Sequence, residues 1–303
     1  MKLQPALSHI PYRMHPSHRL VLILVHVGFT LVLLAGCDSH ARRKVVIRGS
    51  DTMVILVQRW AQAFMRAHPE ISVQVAGGGT GTGIAALISG TADLASASRK
   101  ISQKEYDEIL AKHGKAPCEH VVAIDALTIY VHKSNPVSSL SLEQVAGIYR
   151  GLIRDWSEVG GIRQPIVAYG RESSSGTYAY FKERVLRGAD FADEVQTLAG
   201  TAAIIAAVST DPAGIGYGGV GYAKGVKALA IRLEDGQELM PSAEAAQSGT
   251  YPLARPLFFY SIGEAQGDIR RFIEFVRSLE GQSIAKASGF FEVPAIHNLR
   301  NSP

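Results

Sequence analysis

Apolar and polar positions along this chain follow two periods, that of β-strands and that of amphipathic helices. Short apolar runs predict strands at 45–49, 71–75 and 91–98. Apolar residues at helical spacing predict helices at 54–69, 84–90 and 102–114. Because strands and helices alternate, this part of the chain indicates a parallel sheet with crossover helices. Ligands in such sheets bind beyond the carboxyl ends of the strands.

The rest of the chain predicts a second set of alternating elements between two long apolar strands. The long strands are predicted at 118–135 and 255–262. Between them we expect strands at 164–170 and 214–223 and helices at 141–151, 177–186 and 191–210. A helical region at 268–290 follows. Two α/β lobes joined by two crossing strands are the most economical arrangement. We expect the first lobe to comprise 44–127 plus 256–303, and the second 128–255.

The first 36 residues have the pattern of a secretory signal. Three basic residues precede an apolar run at 20–36, which is shorter than the ~20 residues of a typical membrane-spanning helix. The run ends in Leu-Ala-Gly before Cys37, which resembles the bacterial lipoprotein cleavage box and implies a lipid anchor on Cys37. Asp38 after it is typical of lipoproteins that stay on the periplasmic side of the inner membrane. A retained membrane anchor, or an ordinary signal with an incidental cysteine, are the alternatives.

Charge and cysteine content exclude some classes of protein. Without residues 1–36 the chain keeps 28 of its 31 basic residues and all 27 acidic ones, so its net charge falls from +4 to +1. A nucleic-acid partner is therefore not expected. With Cys37 lipidated, Cys118 would be the remaining thiol and no internal disulfide could form. Cys118, Glu119 and His120 lie adjacent on a predicted strand and face alternate sides, so we expect no metal site and no cofactor.

Small polar residues follow the predicted strands of the first lobe. They form the segments Gly-Ser-Asp-Thr at 49–52, Gly-Gly-Gly-Thr-Gly-Thr-Gly at 77–83 and Ser-Ala-Ser at 96–98. The glycine-rich segment lacks the ordered glycines and the acidic residue of a dinucleotide site, and no Walker lysine follows it. It is better suited to presenting backbone N–H groups and the Thr80 hydroxyl to an anion at a helix start.

The segment Arg-Glu-Ser-Ser-Ser-Gly-Thr at 171–177 connects a predicted strand to a predicted helix. It fails as a serine nucleophile elbow because Glu172 stands where the first glycine is required. As an anion site it offers Ser175, Gly176 and Thr177 in the first helical turn, where backbone donors and the helix dipole favour negative charge. Arg171 adds a planar cation suited to oxyanion oxygens. A solvated loop with a capped helix is the alternative. We expect the aromatic residues of 217–222 to pack in the second lobe.

Seven motifs in one order resemble the phosphate-binding proteins of phosphate ABC importers, the PstS type. The motifs occupy residues 49–53, 77–99, 140–161, 171–181, 214–223, 251–260 and 281–293. The resemblance covers nearly the whole chain after the signal. It implies a two-lobed periplasmic-binding-protein fold of type II that closes on inorganic phosphate and delivers it to a membrane permease, with no catalysis.

The resemblance also implies the phosphate-binding residues. They are Ser50, Asp51, Thr52, Thr80, Ser98, Arg171, Ser175, Gly176 and Thr177. Some members of the family have an aspartate at the place of Ser98, whose carboxylate accepts the proton of phosphate. Sulfate near neutral pH has no such proton, so this acceptor discriminates between the two anions. Here Asp51 is the nearest candidate for the acceptor, and a helix N-cap is its alternative role.

Two other functions stay open at this point. A phosphatase-like enzyme on the same fold would turn over phosphomonoesters, although neither a metal cluster nor a Ser-His-Asp arrangement is evident near 171–177. A receptor for another tetrahedral oxyanion, such as sulfate or molybdate, would share most of the site.

The acceptor hypothesis for Asp51 makes a testable prediction. Asp51→Asn should lower the affinity for phosphate and the phosphate-over-sulfate ratio together, because a carboxylate only accepts hydrogen bonds whereas an amide also donates them. Competition binding at pH 7 measures both quantities. An unchanged affinity and ratio would eliminate the hypothesis.

Overall fold

The computed structural model describes residues 43–293. The predicted signal and Cys37 therefore lie outside the described residues. Within 43–293, no helix is both long and apolar enough to cross a membrane. The twelve strands of this range are β1 Arg43–Gly49, β2 Ile71–Ala76, β3 Leu94–Ala97, β4 Pro117–Val131, β5 Ser139–Ser141, β6 Val167–Arg171, β7 Gln196–Leu198, β8 Gly214–Gly219, β9 Lys227–Ala228, β10 Ala230–Arg232, β11 Glu238–Leu239 and β12 Ala254–Ile262.

Nine α-helices lie between or after the strands over the described range. They are α1 Val54–Ala67, α2 Thr80–Ser89, α3 Gln103–His113, α4 Leu142–Tyr149, α5 Gly176–Arg184, α6 Gly200–Thr210, α7 Ala243–Gln247, α8 Gly267–Arg277 and α9 Leu279–Ala287. Short 3₁₀-helices occupy Trp156–Val159 and Val220–Tyr222. Ser141 caps α4 as expected, with its Oγ accepting from the backbone N–H of Gln144.

One curled sheet runs through the molecule in the strand order β2-β1-β3-β12-β4-β8-β6-β7, and β9 pairs with β4. β1 pairs in parallel with β2 and β3, and β6 pairs in parallel with β7 and β8. The central β12 and β4 are antiparallel to each other. A separate three-stranded sheet has the order β11-β10-β5. Parallel βαβ units at both ends, joined by antiparallel strands, give the α/β architecture that the sequence predicts.

The longest strand, β4, connects the two halves of this sheet. Its residues 117–126 pair with β12, whereas 127–131 pair with β8. One large apolar cluster lies around β1, α1 and α8, and contains Trp60, Phe64 and Phe272. A second lies around α4, α5 and β8. We use the predicted division at 127/128 and 255/256 as the definition of the first and second lobes. The boundaries themselves stay a prediction.

The predicted helix at 191–210 is wrong in its first half. Residues 196–198 form β7 beside β6, with Tyr169 in register with Gln196, and α6 begins only at Gly200. Gly200 has a φ of 79°, which a continuous right-handed helix does not allow. Similarly, the predicted strand at 214–223 ends at Gly219, and the region 268–290 divides into two helices at Ser278, whose Oγ caps α9.

Helix α2 packs directly on β1 at Gly83. A Cβ atom on Gly83 would lie 2.5 Å from Arg48 O and 2.5 Å from Gly49 Cα. Both are backbone atoms that cannot move aside without shifting the strand. The small side chain therefore sets the distance between α2, which begins at Thr80, and β1, which ends before Ser50.

We expect Gly83→Ala to lower the free energy of unfolding by about 1–3 kcal/mol, the usual cost of overpacking a core. Chemical denaturation monitored by circular dichroism measures the change. Ala85→Ser on the exposed face of the same helix is the control, and should stay within about 0.5 kcal/mol of the parent. Equal stabilities for Gly83→Ala and the parent would contradict this account of the packing.

Candidate functional site

The residues predicted to form the site lie together where strands end and helices begin. Ser50, Asp51 and Thr52 follow β1, Ser98 follows β3, and Thr80 opens α2. From the second lobe, Arg171 ends β6, and Ser175, Gly176 and Thr177 begin α5. With the exception of Asp51, which is partly exposed, all of these residues are buried. The carboxyl ends of parallel strands from both lobes therefore meet at one place.

Hydroxyl groups from the two lobes contact each other at this place. Thr52 Oγ1 lies 2.7 Å from Thr177 Oγ1, so the hydroxyls of α5 and of the β1 end form a hydrogen bond. Thr80 Oγ1 lies 3.4 Å from Ser98 Oγ and accepts the backbone N–H of Ser98 at 3.1 Å. The four hydroxyls can each donate to an oxyanion oxygen after a simple rotation about Cβ–Oγ.

Gly176 allows this close approach. A Cβ atom on Gly176 would collide with Thr80 Oγ1 and lie 2.7 Å from Ser98 Oγ. The first turn of α5 thus presents its backbone directly to the hydroxyls of the first lobe. Two amides of this turn already have a partner, since Ser175 Oγ accepts from Thr177 N and Tyr178 N at 3.2 Å each. The expectation that first-turn amides are free for an anion is thus wrong for these two.

Arg171 is buried, at 2% exposure, and all three of its guanidinium nitrogens donate to side chains. Nη2 donates to Asp51 Oδ2 at 2.8 Å and to Glu172 Oε1 at 2.9 Å, and Nε donates to Glu172 Oε2 at 3.2 Å. Nη1 donates to Thr201 Oγ1 at 3.0 Å. Burial raises the pKa of Glu172, but the hydrogen bonds from Arg171 outweigh it and leave that pKa below its usual value. The cation is therefore fixed and paired in the way that a buried charge requires.

Asp51 connects the two lobes and does not cap helix α1. Its Oδ1 accepts from the backbone N–H of Gly78 and its Oδ2 from Arg171, both at 2.8 Å. The N-cap of α1 is Met53, and no side chain caps it, so the N-cap role considered for Asp51 is wrong. The short turn 50–53 orients the carboxylate toward the glycine-rich turn instead.

Tyr222 also joins the two lobes, contrary to the expectation that it packs in the second. Its ring packs against the apolar cluster of the first lobe, and its hydroxyl donates to the Asp51 backbone carbonyl at 2.8 Å. The 3₁₀-helix Val220–Tyr222 breaks the alternation of β8 and turns the ring across the junction. By contrast, Tyr217 lies in the second apolar cluster as expected.

The glycine-rich turn touches the loop before α5. Gly81 N donates to the Ser174 carbonyl at 2.9 Å. A Cβ atom on Gly79, whose φ is 95°, would lie 2.7 Å from the same oxygen. Together with the Thr52–Thr177 and Asp51–Arg171 contacts, this bond holds segments of the two lobes against each other at the candidate site.

Two charged residues at the junction of the lobes were not predicted from the sequence. Arg255 on β12 and Asp125 on β4 are register partners, and 2% and 0% of their surfaces are exposed. Arg255 donates to Asp125 Oδ2 from Nε at 3.1 Å and from Nη2 at 2.8 Å. The sequence contains a signal for this pair: Asp125 and Arg255 each lie within an apolar stretch of a predicted strand, and a charge that is buried there needs a partner.

Arg255 reaches residues of the site from both lobes. Its Nη1 donates to the Ser98 carbonyl at 3.1 Å, and its Nη2 donates to Thr177 Oγ1 at 3.0 Å. The guanidinium carbon lies 5.1 Å from the centre of the Tyr180 ring. A second buried cation therefore stands beside the hydroxyl cluster.

The segment Cys118–His120 has separate partners for its polar side chains. Cys118 Sγ lies 3.8 Å from Glu264 Oε1, and burial together with Glu264 raises the pKa of the thiol. His120 Nε2 lies 3.0 Å from Ser261 Oγ. Over residues 43–293, no group of three or more His, Cys, Asp and Glu side chains is arranged to hold a metal ion.

Comparison with known proteins shows the family to which this chain belongs. The model of the PBP superfamily domain matches residues 38–280. The phosphate-binding protein PstS of Pseudomonas aeruginosa is 34% identical over 265 residues, which are 82% of this chain and 82% of that protein.

Solved structures agree with the fold. A protein from Clostridium perfringens, assigned as a phosphate ABC transporter substrate-binding protein and solved with bound phosphate, has a TM-score of 0.75 and 29% identity. The match covers 83% of this chain and all of that one. An ABC-type phosphate transport receptor from Vibrio cholerae has a TM-score of 0.68 and 28% identity, covering 82% and 100% of the two chains. The predicted two-lobed α/β fold is thereby confirmed, and the chain belongs to the PBP superfamily and, within it, to the PstS-type phosphate-binding proteins.

Proposed function

We propose that this protein binds inorganic phosphate between its two lobes and delivers it to the membrane permease of an ABC importer. The observation that carries the proposal is the set of buried hydroxyls from both lobes, Thr52, Thr80, Ser98 and Thr177, beside the fixed guanidinium of Arg171. The names of the relatives, which are phosphate-binding and phosphate transport proteins, support the same ligand.

The chemistry of the site suits a small, multiply charged oxyanion. Removing such an anion from water is costly unless many fixed donors replace the lost hydration. Serine and threonine hydroxyls supply donors without covalent chemistry, and an arginine supplies both charge and directed N–H groups. We assign the ligand contacts to the predicted residues of the two lobes, which are Ser50, Asp51, Thr52, Thr80, Ser98, Arg171, Ser175, Gly176 and Thr177.

Lobe closure would hold the anion and create the surface that the permease recognises. Contacts across the junction, among them Gly81 N to Ser174 O and Asp51 to Arg171, stabilise the closed form. Hinge closure around a ligand is a common transition of two-lobed binding proteins. Opening would break these contacts and expose the hydroxyls.

The export signal and anchor complete the proposal. Residues 1–36 would direct the chain across the cytoplasmic membrane, and a lipid on Cys37 would keep it on the periplasmic side of the inner membrane, near the permease. Such tethering raises the local concentration of the receptor at its transporter.

Thr177→Val tests the ligand and the site together. The substitution keeps the shape of the side chain but removes the hydroxyl that contacts Thr52 and Arg255. We expect isothermal titration with inorganic phosphate at pH 7 to give tight one-to-one binding for the parent. The variant should bind about 10-fold or more weakly, as for one lost hydrogen bond to a charged group.

Thr210→Val, on an exposed position of α6, is the matched control and should bind like the parent. A parent that does not bind phosphate, or a Thr177→Val variant with unchanged affinity, would contradict the proposal. Steady turnover of a chromogenic phosphate ester by the parent would instead indicate an enzyme.

A further inference from the structure

The Asp125 carboxylate is the least solvated acid at the junction of the lobes. It lies on β4, at the point where this strand changes its partner from β12 to β8. None of its surface is exposed. A carboxylate in such a place needs a donor for each of its oxygens, because a buried acceptor without a partner is costly.

Only one Asp125 oxygen has a donor within the described part of the chain. Oδ2 accepts both N–H groups that Arg255 directs at it, at 2.8 and 3.1 Å. Oδ1 has no hydrogen-bond partner among residues 43–293. The backbone of Gly219 lies beside it, since a Cβ atom there would be 2.7 Å from Oδ1. The ion pair thus accounts for the charge of Asp125 but not for its second oxygen.

The unpartnered oxygen belongs to a residue that is coupled to the site. The Nη2 group that holds Asp125 Oδ2 also donates to Thr177 Oγ1. Burial, followed by the charges of Asp125 and Asp51, raises the pKa of the Tyr222 hydroxyl. That hydroxyl donates to the Asp51 backbone. Asp125 therefore lies near both the hydroxyl cluster and the turn after β1.

The other carboxylates near the site already accept from protein donors. Asp51 accepts from Gly78 N with one oxygen and from Arg171 with the other. Both oxygens of Glu172 accept from Arg171. Ser98 stands where some family members have an aspartate. Among these candidates, Asp125 is the acid with a carboxylate oxygen, Oδ1, that accepts from no donor of the described residues.

We propose that Asp125 Oδ1 accepts the O–H of hydrogen phosphate and so makes the site selective for protonated tetrahedral oxyanions. This inference rests on the proposed function and assigns the proton acceptor to a residue other than Asp51. A phosphate that carries a proton satisfies the buried oxygen with a charge-assisted hydrogen bond. Sulfate has no proton to donate at neutral pH, so it would meet a carboxylate oxygen that stays unpaired and repels it.

The test compares three anions on two variants of the full chain. Asp125→Asn and Asp51→Asn are titrated at pH 7 with phosphate, arsenate and sulfate, by calorimetry or by competition. Arsenate carries a proton near neutral pH as phosphate does. For Asp125→Asn we expect phosphate and arsenate affinities to fall about 10- to 100-fold, as for one hydrogen bond to a charged group. Sulfate affinity should stay unchanged or rise.

The Asp51→Asn variant tests the competing assignment, in which Asp51 is the proton acceptor. The variant weakens the pair with Arg171 between the lobes, so it should reduce the affinity for all three anions by a similar factor and leave their ratio unchanged. If Asp51→Asn lowers the phosphate-over-sulfate ratio while Asp125→Asn does not, the acceptor is Asp51 and the inference is wrong.

A second variant, Gly219→Ala, perturbs the same carboxylate oxygen and tests the inference if Asp125→Asn does not fold. Gly219 has a φ of −66° and a ψ of 143°, which the backbone of alanine adopts without strain, and both Asp125 and Arg255 are kept. The added Cβ would lie 2.7 Å from Asp125 Oδ1, so the carboxylate must shift away from it. The added methyl would cover Oδ1 and should lower the phosphate-over-sulfate ratio as well. A folded variant of either kind with the parental ratio would overturn the inference. A parent that binds no phosphate would overturn the proposed function itself, and the inference with it.

Discussion

The structure around the site depends on burying two arginine side chains where the lobes meet. A guanidinium cannot give up its charge in a protein, so each must find acceptors in the interior. Arg171 takes the carboxylates of Asp51 and Glu172, and Arg255 takes Asp125. Because Asp51 comes from the opposite lobe, the pairing of one charge also fixes the position of one lobe on the other. The hydroxyls of Thr52 and Thr177 meet as a consequence.

The same constraint explains why the site is built from small residues. Where backbone approaches backbone, as at Gly176 and Gly83, a single methyl group would push the elements apart. Hydroxyl side chains fit these distances and still offer both a donor and an acceptor. The glycine-rich turn and the loop before α5 can therefore approach closely enough for a direct bond from Gly81 to Ser174.

Much of this arrangement was predictable from the sequence, because local patterns determine it. Apolar periodicity located most strands and helices, and small polar residues at strand ends indicated the segments that the structure brings together at the candidate site. Pairing at a distance was not predictable in the same way. The strand β7 depends on a neighbour, β6, rather than on its own residues, and the short strands β5, β10 and β11 stabilise one another. The partner of Arg171 across the lobes, and the pair of Asp125 with Arg255, likewise depend on register between distant segments.

The unbroken course of β4 limits how the molecule can move. Its ladder to β12 extends over 117–126 and its ladder to β8 over 127–131, so a single strand carries hydrogen bonds to both lobes. Sliding one lobe past the other would shear many of these bonds at once, whereas a rotation bends the strand and keeps them. A rotation of one lobe against the other would therefore bend β4 near residues 126 and 127, where the strand changes its partner. The Asp125 carboxylate, which Arg255 holds, lies next to this point, where distances would change least if the angle between the lobes changed.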